Sequence, residues 1–292
     1  MSSKGSCASC LHFDVDKIVK SKESLKPTWL SKHDHTRTFI DGHSLTLQRP
    51  TTFNVEMKME LGKRFAGKKL LYWAASEKKT KGLVIEDARK AYGRFENSGV
   101  VKATSDGKVV LRFDCPQLYK AKRGDITKPT TFFRHVHFVV EKDGEWDRQI
   151  YTKVVICNYT LKKFVDEIKS GTTFIINAIP TDYSAMDYVP NSHKMLIPNA
   201  YSVFHKTIAK MSVKELHDWL GEVIKLEYPK LATQLKNKKL EMYEIPIVTY
   251  CAHEKCNASE LVIKELMKKG FVNINEYSGA IMEYRKMIQI ER

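Results

Sequence analysis

No stretch of this 292-residue chain approaches the roughly 20 consecutive apolar residues that a bilayer-crossing helix requires, so no membrane partner is expected. The opening MSSKGSCASCLHFDVDK lacks the apolar core of a secretory leader, and a cytoplasmic location is the expectation. Cysteine is scarce: Cys7, Cys10, Cys115, Cys157, Cys251 and Cys256 are the six, too few for a disulfide framework. They read as thiols, metal ligands or redox groups, with Cys115 and Cys157, each ending a β-prone run, as core thiols. There is no internal repeat and no low-complexity segment, which excludes solenoids and fibrous proteins. There is also no arginine-rich block and no aromatic RNA-binding signature.

What is there is a globular composition, 42% hydrophobic and 10% aromatic, in a chain long enough for two domains with separate cores. The net charge of +15 is unevenly spread. Residues 1–158 hold 30 Lys/Arg against 18 Asp/Glu, and residues 159–292 hold 19 against 16. The basic half would attract an acidic protein or a nucleic acid if its lysines are more than a solvated surface.

The chain reads as three parts. Residues 1–46 are a polar arm with Pro27 and scattered Lys and His. Residues 47–158 are β-like: GVVKATSDGKVVLRFDCP implies a hairpin about Ser105-Asp106-Gly107, and a second turn falls at Asp143-Gly144. An all-β sandwich is the expected closure. From 159 the pattern alternates. LKKFVDEIKSG and MSVKELHDWLGEVIKL read as amphipathic helices, the second opened by a Ser212/Glu215 capping box. TTFIINAIP, PIVTY and FVNINEY read as short buried strands. Strand and helix in alternation predict an α/β domain with a mainly parallel sheet.

PIVTYCAHEKCNASELVIKELMKKGF, residues 246–271, places Cys251 where a buried strand turns into a helix. Ligands of open α/β sheets bind beyond the carboxyl ends of the strands. Ala252, His253, Glu254, Lys255 and Cys256 would curl over a helix N-terminus capped by Asn257 with Glu260, an anion cradle that favours a thiolate. The stretch from Tyr250 to Tyr284 resembles the C-terminal half of a rhodanese-like domain, with Ser278-Gly279-Ala280 and Tyr284 in place of its closing glycine pair and aromatic. LIPNAYSV resembles an upstream segment of that family, with Ile197, Pro198, Asn199 and Ala200 in register, so the likeness spans about 160–290. It implies a sulfurtransferase in which Cys251 takes sulfur from a sulfane-sulfur donor as a persulfide and passes it to a thiol acceptor. Cys256 departs from the family pattern and permits a Cys251–Cys256 disulfide, a thiol redox variant with Cys256 as resolving thiol.

In FFRHVHFVV, His135 and His137 fall on one face of a strand, about 7 Å apart and so spaced for one metal. Two half-buried histidines are the simpler reading. Residues 47–157, through Trp73, Asp106-Gly107, Pro116 to Tyr119 and the two histidines, resemble intradiol ring-cleavage dioxygenases, a weaker likeness than the first. It implies a non-haem Fe(III) held by Tyr92, Tyr119, His135 and His137, although Arg134 directly precedes the first histidine where the family's arginine stands three before it.

Cys7 and Cys10 with His12, His33 and His35 hint at half of a zinc site or a redox pair. The leading expectation is a rhodanese-like sulfurtransferase or thiol-redox protein acting through Cys251, with the basic β-sandwich binding a partner or a metal. Two alternatives stay open: a structural or interaction protein of a large assembly such as a virus particle, and a non-haem iron dioxygenase.

Overall fold

The computed structural model describes residues 19–20, 35–76, 84–85, 88–123, 126–179 and 197–290. Cys7, Cys10, His12 and His33 lie outside these. The chain divides between Val155 and Ile156 into two compact units.

The first unit is antiparallel. Its main sheet runs β1 (Val19–Lys20), β10 (Tyr151–Val154), β8 (His135–Lys142), β3 (Lys69–Ala74), β4 (Ser98–Lys102), with β9 (Glu145–Trp146) also on β8. β3 and β8 read as near-unbroken apolar runs because they are central, and Leu70 to Ala74 and Val136 to Val139 are buried. β2 (Val55–Glu60) and β5 (Lys108–Phe113) form a two-stranded ribbon with one wet face: Val109, Leu111 and Phe113 are buried, while Lys108 and Val110 are exposed. β6 (Lys120–Arg123) and β7 (Ile126–Thr131) form a second ribbon, and α1 (His35–Asp41) and α2 (Ala88–Tyr92) complete the unit.

Two expectations need correcting here. The turn at Ser105-Asp106-Gly107 exists, closed by Thr104 N–H on Lys108 O and Lys108 N–H on Thr104 Oγ1, both at 2.9 Å, but beyond it the arms do not continue as a hairpin ladder. β4 pairs with β3 and β5 with β2. Local residues encode the turn; which strand each arm joins is a long-range choice. The hairpin at Asp143-Gly144 does form, both residues adopting positive φ (53° and 81°) as a tight two-residue turn requires. The second correction concerns the arm. β1 joins the sheet beside β10, Ile40 on α1 is fully buried, and Phe39 stacks on Phe95 at 4.4 Å. A few well-placed apolar residues suffice to dock a polar segment.

The second unit holds a five-stranded sheet in the order β11 (Cys157–Asn158), β15 (Ile274–Tyr277), β14 (Ile247–Tyr250), β12 (Phe174–Asn177), β13 (Ala200–Ser202), and every pairing is parallel. The alternation of the sequence is realised in α3 (Leu161–Ser170), α4 (His205–Lys210), α5 (Val213–Glu227), α6 (Pro229–Lys236), α7 (Ala258–Lys268) and α8 (Ala280–Ile290). Thr160 caps α3 and Gly171 ends it at φ 64°. The Ser212/Glu215 capping box forms with contacts of 3.1 and 2.7 Å. No helix among the described residues is long and apolar enough to cross a membrane. Cys115 and Cys157 are disulfide-bonded, not the free core thiols that their β-run positions imply.

Candidate functional site

Strand β14 is buried throughout and ends at Tyr250; Cys251 follows at the carboxyl edge of the sheet, 2% exposed. Ile281 N–H, from the first turn of α8, holds its carbonyl at 3.0 Å. The Cys251 sulfur is joined to Cys256 across a Cα separation of 6.1 Å. The nucleophile expected from the sequence is therefore in its oxidised form, paired with the cysteine expected to resolve it. The loop from Ala252 to Cys256 is a tight turn in which Cys256 N–H bonds to His253 O at 3.0 Å, so that donor serves the turn instead of an anion. Glu254 and Lys255 are exposed; Ala252, His253 and Cys256 are half-buried. Asn257 stands at the N-cap of α7 without a side-chain hydrogen bond, and Glu260 pairs with Lys264 at 2.8 Å. The capping box expected there is absent because the chain enters α7 through a turn instead of the extended backbone that a capping side chain needs.

Beneath this loop the Ser259 hydroxyl donates to Glu276 on β15, tying the start of α7 to the strand beside β14. Burial pushes the Glu276 carboxyl up, partly offset by that hydrogen bond. The sequence offered no signal for this pair, since neither residue type nor spacing marks it.

The first unit brings all four predicted donor residues together. Tyr92 comes from α2, Tyr119 from the segment before β6, and His135 and His137 from β8. The Tyr92 and Tyr119 hydroxyls each lie 3.0 Å from His135 Nε2 and 3.3 Å from each other. The His137 ring lies 4.6 Å from that of His135 and 6.2 Å from that of Tyr92. None of the four is more than 3% exposed.

Both imidazoles are oriented through Nδ1. His135 Nδ1–H donates to Phe133 O at 2.5 Å, which leaves Nε2 to face the two phenols as acceptor. His137 Nδ1 is 2.8 Å from Thr152 Oγ1. This is how metal-binding histidines are ordinarily steadied. Neither Phe133 nor Thr152 was legible in the sequence; Thr152 is found only through the register that sets it opposite His137. Trp73, opposite His137 on the other side, packs against its ring at 5.5 Å.

Burial makes this cluster neutral in the absence of a cation. It raises both phenols well above their usual pKa, lowers His137 well below the usual imidazole value, and lowers His135 to about 4. Among the described residues no cluster of three or more His, Cys, Asp or Glu offers a competing metal site.

The residues fit a metal. Donors bonded to an ion at about 2 Å lie about 3 Å from one another, the separations found for Tyr92, Tyr119 and His135. Two phenolates and two imidazoles are hard-to-borderline donors suited to ferric iron.

No protein-family model matches the chain. No curated protein matches it either. Among solved structures the chain is similar to the human single-domain sulfurtransferase TSTD1, at 14% identity and a TM-score of 0.29, over 44% of this chain and 95% of that one. It is also similar to SseA from Escherichia coli, a 3-mercaptopyruvate sulfotransferase described as having the "Rhodanese" fold, at 16% identity and a TM-score of 0.29, over 48% of this chain and 49% of that one.

Proposed function

We propose that the second unit is a thiol-redox and sulfur-transfer module in which Cys251 carries the sulfur and Cys256 resolves it. The observation that supports this reading is the Cys251–Cys256 pair at the carboxyl end of the central strand β14, where open α/β sheets place their chemistry. An external thiolate attacks Cys256, the more exposed sulfur, and Cys251 leaves as a thiolate. A second thiolate attacks the external sulfur of the mixed disulfide, which frees Cys256 and yields the oxidised external disulfide. Cys251 thiolate then attacks the outer sulfur of a sulfane donor R–S–SH, forming Cys251–S–SH and releasing RS⁻. A thiol acceptor takes that sulfur, or Cys256 thiolate attacks the inner sulfur, restoring the disulfide and expelling HS⁻.

The test is intact mass after reduction, removal of reductant and exposure to thiosulfate. Cys256→Ser should retain one extra sulfur that reduction removes. The unaltered protein should return to the disulfide with release of sulfide, and Cys251→Ser should gain nothing. Absence of both added sulfur and sulfide, with the pair cycling normally against glutathione, leaves thiol redox alone. A pair that neither cycles nor accepts sulfur supports the interaction-protein reading.

A second reading is favoured by the convergence of Tyr92, Tyr119 and His135. These three with His137 would hold Fe(III), which would supply Lewis-acid and one-electron chemistry when bound. The protein's own part is to orient both imidazoles, exclude water and stabilise two phenolates. All four side chains are buried, which supports a closed iron centre over ring cleavage. Reconstitution with ferric iron should give a visible phenolate-to-iron band, and its absence would remove this reading.

A further inference from the structure

Thr249 and Tyr250 are consecutive at the carboxyl end of β14, so their side chains leave opposite faces of the sheet. α7, which begins just after Cys256, covers the Thr249 face, because its Ser259 reaches Glu276, the residue paired with Thr249. Tyr250 lies on the other face, where the Phe164 ring of α3 packs 6.3 Å from Tyr250 and 6.2 Å from Tyr284 of α8. Ile281 N–H on Cys251 O anchors the first turn of α8 to the residue after Tyr250. Arg285 follows four residues later, on the same side of that helix as Ile281.

Two buried polar groups meet there. Tyr250 is fully buried, and its hydroxyl has no hydrogen-bond partner. Arg285 is half-buried, with Nε and Nη2 shut off from solvent and equally without a partner. Among the described residues no carboxylate pairs with it; Glu283, on the preceding turn, accepts from Tyr277 at 2.7 Å. Burial raises the Tyr250 phenol, while the Ile197 backbone, near it but outside hydrogen-bond geometry, and the Arg285 charge pull it back. Burial lowers Arg285, and Tyr250 pulls it up, so each group is within reach of the other.

Nε–H and one Nη2–H lie along a single edge of the planar guanidinium, the edge that grips two oxygens at once. Buried and unpaired, a charged donor costs more than a neutral one. We infer that the Arg285 edge and the Tyr250 hydroxyl bind an organic carboxylate, its two oxygens on Nε and Nη2 and one of them also accepting from the phenol. One cation balances one negative charge, and the flat fork matches a flat carboxylate. A phosphate monoester would bring about 1.5 to 2 charges and leave the excess uncompensated away from water. The site faces away from α7, and the inference is independent of the chemistry at Cys251 and of any iron.

The test is equilibrium dialysis of the full, oxidised chain against radiolabelled acetate at physiological salt. Acetate should bind saturably, one to one, and inorganic phosphate should displace it poorly. Arg285→Gln should lose about tenfold or more in affinity. Tyr250→Phe, which removes only the hydroxyl, should lose about three- to tenfold and keeps the test decisive if Arg285→Gln does not fold. Lys286→Gln, which removes the same charge from the next, exposed position of α8, should bind as before. No saturable acetate binding by the unaltered protein would overturn the proposal. So would full affinity in Tyr250→Phe, equal weakening by Lys286→Gln, or displacement by phosphate as effective as by unlabelled acetate.

Discussion

Thr152 on β10 stands directly opposite His137 on β8, and its hydroxyl lies 2.8 Å from the imidazole Nδ1. Thr152 is 1% exposed, so this contact is made away from solvent, where a polar group needs a protein partner. Thr152→Val keeps the shape and removes the oxygen. In iron-reconstituted protein it should weaken metal retention by about 10- to 100-fold, the usual cost of a lost outer-shell partner, while Thr152→Ser restores it. A competition titration with a ferric chelator measures this, and unchanged retention in Thr152→Val would detach Thr152 from the site.

The metal-free first unit should lose stability as pH falls. His135 is held to about 4 by burial, against about 6.5 in an unfolded chain. Below 6.5 the unfolded state binds a proton that the folded state refuses, so stability is complete above that value and declines toward pH 4. His135 alone accounts for on the order of 3 kcal/mol across the window, and His137, shifted the same way, adds to it. Denaturant midpoints at pH 7.5 and 4.5 should differ accordingly, and His135→Gln should flatten the dependence. A midpoint indifferent to pH would mean that water reaches the cluster.

Gly107 sits at φ 77° with the carbonyl of Gly62 where a Cβ would go. Gly107→Ala meets both left-handed backbone strain and a backbone clash, and should destabilise the first unit by about 2–4 kcal/mol. Gly144, at φ 81° with open space around it, tests the separation: Gly144→Ala meets strain alone and should cost only about 1 kcal/mol.

Ala280 begins α8 at φ 59°, a left-handed conformation. Ala280→Gly should stabilise the second unit by about 1 kcal/mol. Thermal unfolding gives the sign, and a loss would show that the Ala280 methyl, 1% exposed, packs for more than the backbone strain it causes.

After gentle reduction, Cys256 should react with iodoacetamide about tenfold faster than Cys251, because only Cys256 is partly exposed. Peptide mapping of the first adduct decides this. Preferential labelling of Cys251 would reverse the roles assigned to the two sulfurs.

Much was determined by the sequence alone. The alternation after residue 159, the Ser212/Glu215 capping box, the Asp143-Gly144 turn and the proximity of Cys251 to Cys256 are local, written within a few residues by period, cap and turn chemistry. The four-residue Tyr/His group was legible only through resemblance, because its members lie as far as 45 positions apart. Tertiary structure decided what depends on pairing partners. It sent β4 and β5 to different sheets, brought β1 and α1 into the first unit, and placed Thr152 against His137. Local propensities carry no information about strand register between distant segments, and register determines which side chains meet.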